Sequence, residues 1–531
     1  MQNSEKEQER ISLQASLDAA KTQAERNRLG QFSTPATLAS DILRFGVALL
    51  GEEKRVRFFD PAIGTGSFFS ALLHTVPLER IEGAKGYELD AHYGAPAYEL
   101  WQGAPLDLEL GDFTKAVPPA SEAERYNLLI CNPPYVRHHH IASAEKIRLQ
   151  EATEAACGVR IAGLAGLYCY FLGLSHPWMW RGGIAGWLVP SEFMDVNYGE
   201  AVKRYLLDKV TLLRIHRFDP RDTQFDDALV SSAVVWLRND PPALDHLVEF
   251  TLGGSLLTPT LSRKVPASAL RGESKWTRFP ISDVRKDVAH YQLSDFFAIK
   301  RGIATGSNKF FIVTRDQIEL LGLPWEAFRP VLPSPRYIPE DEIEADDKGM
   351  PILDRRLFLL DCRLPEEKVK AKYPKLWEYL EHAKRDVATR YLCRSRSVWY
   401  FQEERAPAPI VCTYLGRTDT KNKRPFRFIL NHSQATAANV YLLLYPRPVL
   451  ARAMAQDHTL IRRVWQVLNA LCPDALLSEG RVYGGGLHKL EPKELANVDA
   501  TVIADLIPDL QPPVRVKQLD IFEKGEKSLS I

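Results

Sequence analysis

A chain of 531 residues is long enough for two or three domains, each with its own core, and 45% hydrophobic with 25% charged residues is an ordinary globular composition. Lys plus Arg (68) nearly balance Asp plus Glu (67), so net charge gives no argument for a nucleic-acid partner, and any such argument must come from local clustering. No apolar run reaches the roughly 18 residues of a membrane span, the first residues lack a signal pattern, and the seven cysteines include no close pair; a cytoplasmic protein with reduced thiols, no metal centre and no membrane partner is expected.

Residues 1–29 place Leu13, Leu17, Ala20 and Ala24 at helical spacing, which predicts an amphipathic helix packed on the body of the protein. In Gly30-Gln31-Phe32-Ser33-Thr34-Pro35, Thr34 is a candidate cap for a helix that Pro35 opens and that runs through Leu38, Ile42, Leu43 and Val47. The strand 56–59 then runs into Asp60-Pro61-Ala62-Ile63-Gly64-Thr65-Gly66-Ser67, with a helix behind it. Glycines at 64 and 66 admit close approach of a ligand to the backbone, and the helix presents its N-terminal amides. This turn is not a dinucleotide fingerprint, because Phe69 stands where the third glycine belongs, and Asp60 at its entrance suits a cationic group better than a pyrophosphate.

Strand 84–87 ends at Glu88, twenty-two residues after Gly66, where folds of this kind bind ribose hydroxyls. A run at 106–110 ends in Gly111-Asp112-Phe113. The apolar run 126–130 leads to Cys131-Asn132-Pro133-Pro134-Tyr135, where two prolines must stop the ladder and leave an amide, two carbonyls and a ring at the carboxyl edge of a sheet. Four consecutive strand ends carrying polar or aromatic groups point to a bound ligand. The triplet His138-His139-His140 lacks metal-ligand spacing and reads as a polar loop near a substrate. Later strands at 184–189, 210–216 and 232–237, with helices at 164–180 and 199–207 and a loop containing Phe225, complete a sheet of about seven strands.

Asn239-Asp240-Pro241-Pro242 marks a boundary. The expected organisation is an N-terminal helical segment (1–29), an α/β catalytic domain (30–240), a connecting segment (241–290), a mixed α+β domain (291–505) and a tail (506–531). In the fourth of these, Arg301, Thr305, Asn308 and Lys309 stand in a glycine-flanked loop, Arg417 and Lys421 in a basic stretch, and Tyr483, His488 and Lys489 around a glycine run, a texture suited to phosphates and base edges.

Taken together, these motifs resemble the gamma-group N6-adenine-specific DNA methyltransferases of type II restriction-modification systems, and the region after residue 293 is similar to the TaqI-type specificity domain. The resemblance implies a Rossmann-like S-adenosylmethionine-dependent core with helices on both faces, followed by a target recognition domain. It implies that Thr34 and Pro35 close over the methionine end of the cofactor and that Phe225 stacks on the target base, with Phe218 its competitor. It also implies double-stranded DNA as substrate, a separate cognate endonuclease, and a monomer.

The residues suit that chemistry independently. S-adenosylmethionine is a sulfonium cation carrying a ribose and an adenine; Asp60 is placed to attract the cationic end, Ala62, Gly64, Gly66 and Ser67 to line the turn, Glu88 to hold the ribose, and Asp112 with Phe113 the adenine. An exocyclic amino group is a poor nucleophile because its lone pair is delocalised. Acceptors fixed on its protons, the Asn132 side-chain oxygen and the Pro133 carbonyl before Pro134, localise that pair for in-line attack, with Tyr135 stacking on a flipped base and Arg137 and His138 near the nucleic acid. An RNA adenine methyltransferase is the enzymatic alternative, and a catalytically inactive DNA-binding protein the alternative of another class.

Overall fold

The computed structural model describes residues 2–218, 232–280, 291–417, 424–483, 487–508 and 510. The chain divides into two compact units near residue 285.

The first unit opens with helices α1 (Gln2–Ala19) and α2 (Gln23–Leu29) rather than one continuous helix. The break comes from Thr22, whose hydroxyl accepts the Glu25 N–H while the Glu25 carboxylate accepts the Thr22 N–H, a reciprocal cap that starts a new helix. Helix α3 (Ala36–Leu50) buries Leu38, Ile42, Leu43 and Val47 on one face. Its N-terminus carries no side-chain cap, so the expected capping by Thr34 does not occur; that hydroxyl is used elsewhere.

Strands β1 (Val56–Asp60), β2 (Ile81–Glu88), β3 (Leu106–Leu110), β4 (Tyr126–Cys131), β5 (Met179–Pro190), β6 (Thr211–Arg217), β7 (Ser232–Arg238), β8 (Leu247–Gly254) and β9 (Pro259–Pro266) form one sheet in the order β3-β2-β1-β4-β5-β7-β6-β8-β9. Strands β1 to β5 pair in parallel, and β7 runs antiparallel between β5 and β6. The sheet has nine strands where about seven were expected, because the stretch read as a connector supplies β8 and β9. In the first half of β8 Leu247 and Glu249 are more exposed and Val248 and Phe250 buried, the local alternation of a half-covered strand.

Helices α4 (Ser67–Thr75), α5 (Ala91–Leu100), α6 (Ser143–Cys157), α7 (Leu167–Leu174), α8 (Glu200–Asp208) and the short α9 (Ala267–Arg271) belong to the same unit. Adjacent Phe58 and Phe59 point to opposite faces of β1, as a period of two requires, and enter two different cores. Phe58 lies with Ile42, Leu43 and Trp236, whereas Phe59 lies with Tyr87, Phe113 and Trp178. Strand order reverses between β1, which leads outward to β2 and β3, and β4, which leads the other way. In such sheets the crevice beyond the carboxyl ends of those two strands is where ligands bind.

The second unit is mixed α+β. A five-stranded sheet holds 297–301, 441–446, 410–413, 428–431 and 342–343, a four-stranded sheet 312–314, 357–360, 328–332 and 436–437, and a three-stranded sheet 415–417, 487–489 and 481–483. Among the described residues no helix is long and apolar enough to cross a membrane.

Candidate active site

The carboxyl ends of β1, β2 and β4 bring Asp60, Glu88 and Asn132 to one edge of the sheet. At Asn132 the orientation of the amide is decided by its neighbours. Its Nδ2 donates to the Phe32 carbonyl (3.0 Å) and to the Thr34 hydroxyl (3.1 Å). A carbonyl can only accept, so the nitrogen must face Phe32 and the oxygen must face the other way. That Oδ1 is shielded from solvent and has no hydrogen-bond partner. A buried acceptor without a partner costs about 1–3 kcal/mol, which marks a place where a donor is expected to arrive.

The segment that orients Asn132 is held against the loop after β4. Gly30, at φ 67°, lies so close that a Cβ there would come within 2.3 Å of the Tyr135 backbone nitrogen, and the Tyr135 N–H donates to the Gly30 carbonyl (3.1 Å). Only glycine combines that φ with that approach. Tyr135 is buried; its hydroxyl donates to the Leu188 carbonyl (3.0 Å), and its ring packs against Phe32 and edge-on to Tyr168. Pro133 is buried beside it and Pro134 half-buried.

At the glycine turn, Gly64 has φ 57° and open space where a Cβ would stand, so the backbone is accessible to a ligand there. Gly66, also left-handed, begins α4 ahead of Ser67. Asp60 is almost wholly buried, and its Oδ1 accepts the Ala62 N–H (3.1 Å). Burial pushes its carboxyl up to about 7, with Glu88 adding to the rise and the Ala62 N–H and the Cys131 thiol opposing it. The group expected to attract a cation is therefore spent first on shaping the turn. Glu88 accepts the Gly64 N–H (3.0 Å) on one oxygen and the Asp90 N–H (2.8 Å) on the other, tying the turn to the end of β2; burial raises its carboxyl as well. Asp112 caps the turn after β3 through the Thr114 N–H (3.0 Å), whereas the Phe113 ring sits in the core against Phe59 and Phe171. Of that pair Asp112, not Phe113, stands half-exposed at the edge.

Pro35 is exposed and Thr34 buried, its oxygen facing Asn132. Phe225 lies outside the described residues; Phe218 is buried and edge-on to His216. Arg137 is exposed and His138 half-buried. Sequence reasoning passed over Phe32, whose carbonyl orients Asn132, and Gln31, Lys21 and Asp90, which are bonded to one another. Nothing in a single sequence marks a backbone carbonyl as an orienting group.

In the second unit the expected DNA-contacting residues divide. Arg301, Asn308, Lys309 and Arg417 are exposed. Thr305 is 1% exposed and donates to Asn308 Oδ1 (2.6 Å) while accepting the Ser307 N–H (3.1 Å), so it builds the loop rather than reading a base. His488 is buried and Lys489 is paired with Glu491 (2.8 Å). Lys421 and the Tyr483 side chain lie outside the described residues. Among the described residues Glu342, Glu344 and His432 are spaced to hold a metal ion, but Arg462 already pairs with Glu342.

Comparison with known proteins matches residues 95–225 to the Eco57I restriction-modification methylase family and residues 274–524 to the C-terminal domain of the type II methyltransferase M.Eco57I. The first match contains Asn132 to Tyr135, and the two together take in more than two thirds of the chain. Together with the relatives below, these matches support a type II restriction-modification methyltransferase. The methylase is 27% identical to M.XamI of Xanthomonas campestris pv. amaranthicola over 489 residues, 88% of this chain and 84% of that protein. It is 25% identical to M.AccI of Acinetobacter calcoaceticus over 492 residues, 88% and 85% of the two. Among solved structures, the cryo-EM structure of a DrdV–DNA complex has a TM-score of 0.48 at 15% identity, covering 82% of this chain and 51% of that one, too low to bear on function. For the second unit the match is to the M.Eco57I C-terminal domain.

The cofactor of the methylase is S-adenosylmethionine, and the crevice suits it. The open backbone at Gly64, the acidic end of β2 at Glu88 and the acidic Asp112 offer acceptors and space to a cationic, hydroxyl-bearing ligand.

Proposed function

We propose that the methylase transfers a methyl group to the N6 amino group of an adenine flipped out of double-stranded DNA, at a short recognition sequence, and so protects host DNA from a separate cognate endonuclease. The observation that supports this reading most is the buried, unpartnered Asn132 Oδ1, held by an amide whose nitrogen is committed to Phe32 and Thr34. S-adenosylmethionine supplies an electrophilic methyl on a positively charged sulfur. Asn132 Oδ1 accepts one proton of the target amino group and the Pro133 carbonyl the other, which draws the nitrogen toward tetrahedral geometry and frees its lone pair to attack in line. The Pro133–Pro134 pair ends β4 rigidly at this point, so both acceptors are in place before the base arrives.

Tyr135 lines the base pocket from the same loop. Stacking on an aromatic ring is worth roughly 1–3 kcal/mol per base, comparable to the cost of unstacking the base from the duplex. The amino nitrogen gains a bond to carbon as the methyl–sulfur bond breaks, the neutral thioether S-adenosylhomocysteine leaves, the nitrogen sheds its extra proton to water, and no covalent enzyme intermediate is needed. Thr34, Pro35, Asp60, Ala62, Gly64, Gly66, Ser67, Glu88 and Asp112 form the cofactor side of the crevice. Exposed Arg301, Asn308, Lys309 and Arg417, with Arg137 and His138, contact the DNA. The methylase acts as a monomer in the cytoplasm.

Incubation of the protein with plasmid DNA and S-adenosylmethionine, followed by single-molecule mapping of modified bases, tests the reading. N6-methyladenine confined to one recurring sequence is expected. Modification of cytosine alone, or of RNA and no DNA, would overturn it.

A further inference from the structure

Helix α1 does not behave as an ordinary packing helix. Such a helix buries an apolar stripe; α1 packs Leu13 against the core, but it also turns Lys6, Arg10, Gln14 and Asp18, at four-residue spacing, to the body of the unit, and all four are bonded to it. Lys6 Nζ donates to the Leu100 carbonyl (3.0 Å), and Asp18 Oδ1 accepts from the Tyr93 hydroxyl (2.9 Å). Arg10, only 2% exposed, is gripped on two nitrogens by Glu7 (2.7 Å each) and turns its remaining terminal nitrogen to the hydroxyls of Ser67 (2.9 Å) and Thr65 (3.4 Å). Thr65 in turn donates to Gln14 Oε1 (2.6 Å).

Thr65 and Ser67 flank Gly66 in the glycine turn. The same N-terminal segment also reaches the end of β2, where Lys21 pairs with Asp90 and Gln31 Nε2 donates to Asp90 Oδ2 (2.7 Å). The Asp90 N–H holds Glu88 (2.8 Å). Both cofactor-side elements, the turn and Glu88, are thus held from outside by one segment that contributes no strand to the sheet. A buried guanidinium is costly unless every partner is in place, and here those partners include two hydroxyls of the turn.

We propose that Arg10 is a positioning residue for cofactor binding, and that α1 is a strap whose docking on the glycine turn is coupled to occupancy of the crevice. The inference rests on the reading of the crevice as the S-adenosylmethionine site and is independent of which base is methylated. Coupling is reciprocal: undocking α1 weakens cofactor binding, and bound cofactor tightens α1.

The test is titration of S-adenosylhomocysteine into the full-length protein by calorimetry, without nucleic acid, together with hydrogen exchange over residues 4–19. Arg10→Met is expected to weaken binding by about tenfold or more, to raise the KM for cofactor more than it lowers kcat, and to regain part of the affinity as Arg10→Lys. Bound S-adenosylhomocysteine is expected to slow exchange in α1 of the wild type. Gln14→Ala, which removes the bond from Thr65 and one to Asp18 within the helix, keeps the question answerable if Arg10→Met does not fold and should show the same effect at smaller size. Unchanged affinity in a folded variant, with only the melting temperature lowered, would overturn the inference and leave the cofactor reading intact. Failure of the wild type to bind S-adenosylhomocysteine would overturn both.

Discussion

In the first unit nearly every described residue singled out for a ligand stands at the sheet edge or holds one that does, whereas in the second unit three of the seven candidates with described side chains, Thr305, His488 and Lys489, are buried or paired within the fold. The contrast has a physical source. In a parallel sheet the backbone itself delivers strand ends to one edge, so a polar residue at that position has little choice of location. A recognition loop has no such rule, and its hydroxyls and amides satisfy the loop before anything else. Thr305, bonded to Asn308 and Ser307, and Lys489, paired with Glu491, are spent on folding, while Arg301 and Arg417 remain exposed.

The largest expected effect lies on the first side of this contrast. Asn132→Ala should lower kcat by at least about 10²–10³-fold, the scale seen when a single preorganised hydrogen-bonding group is removed, with S-adenosylhomocysteine binding retained in calorimetry; near-normal turnover would mean that the sheet edge does not carry the chemistry. Thr34→Val leaves Asn132 with the Phe32 carbonyl alone. The amide then gains freedom to rotate, and a loss of about tenfold in kcat is expected from misorientation, measurable in single turnover.

Gly30→Ala places a methyl group against the Tyr135 backbone at a φ that disfavours it, and a destabilisation of about 1–3 kcal/mol in urea unfolding is expected. Asp60 sharpens the contrast through pH. Its folded value of about 7 lies above the ordinary 3.8, so the folded state binds a proton that the unfolded state releases. The associated stability is complete below pH 4 and is lost as pH rises through 7. Asp60→Asn, neutral throughout, should therefore gain melting temperature relative to wild type between pH 5 and pH 7.5 and then hold constant; a difference independent of pH would count against a protonated Asp60.

The smallest effects separate the two kinds of residue in the second unit. Arg417→Ala should leave the melting temperature unchanged and reduce the slope of log affinity against log salt for duplex DNA by about one if it meets a phosphate. Thr305→Val should do the reverse, lowering the melting temperature by a few degrees with the salt slope intact. The opposite pattern would erase the distinction between exposed contact and internal scaffold.

Much of the first unit was legible beforehand because its signals are local. Apolar runs ending in Asp60, Glu88 or Asn132 are strands that must stop, and prolines at 133 and 134 leave no alternative. The helix at 143–157 escaped notice because Ser143–Cys157 buries only Leu149, Thr153 and Cys157, too thin a stripe to read as periodic. Strands β8 and β9 were missed because β9 is a largely exposed edge strand whose place is decided by pairing with β8.

By itself the sequence determined which residues reach the sheet edge, because strand period, glycine and proline act within a few residues of one another. Only the tertiary structure decided what those residues do there. The direction of the Asn132 amide depends on a carbonyl one hundred residues away, at Phe32, and the grip on the glycine turn depends on Arg10, fifty-seven residues before Ser67. Hydrogen bonds across such separations leave no local pattern, since what they select is a direction in space rather than a residue type.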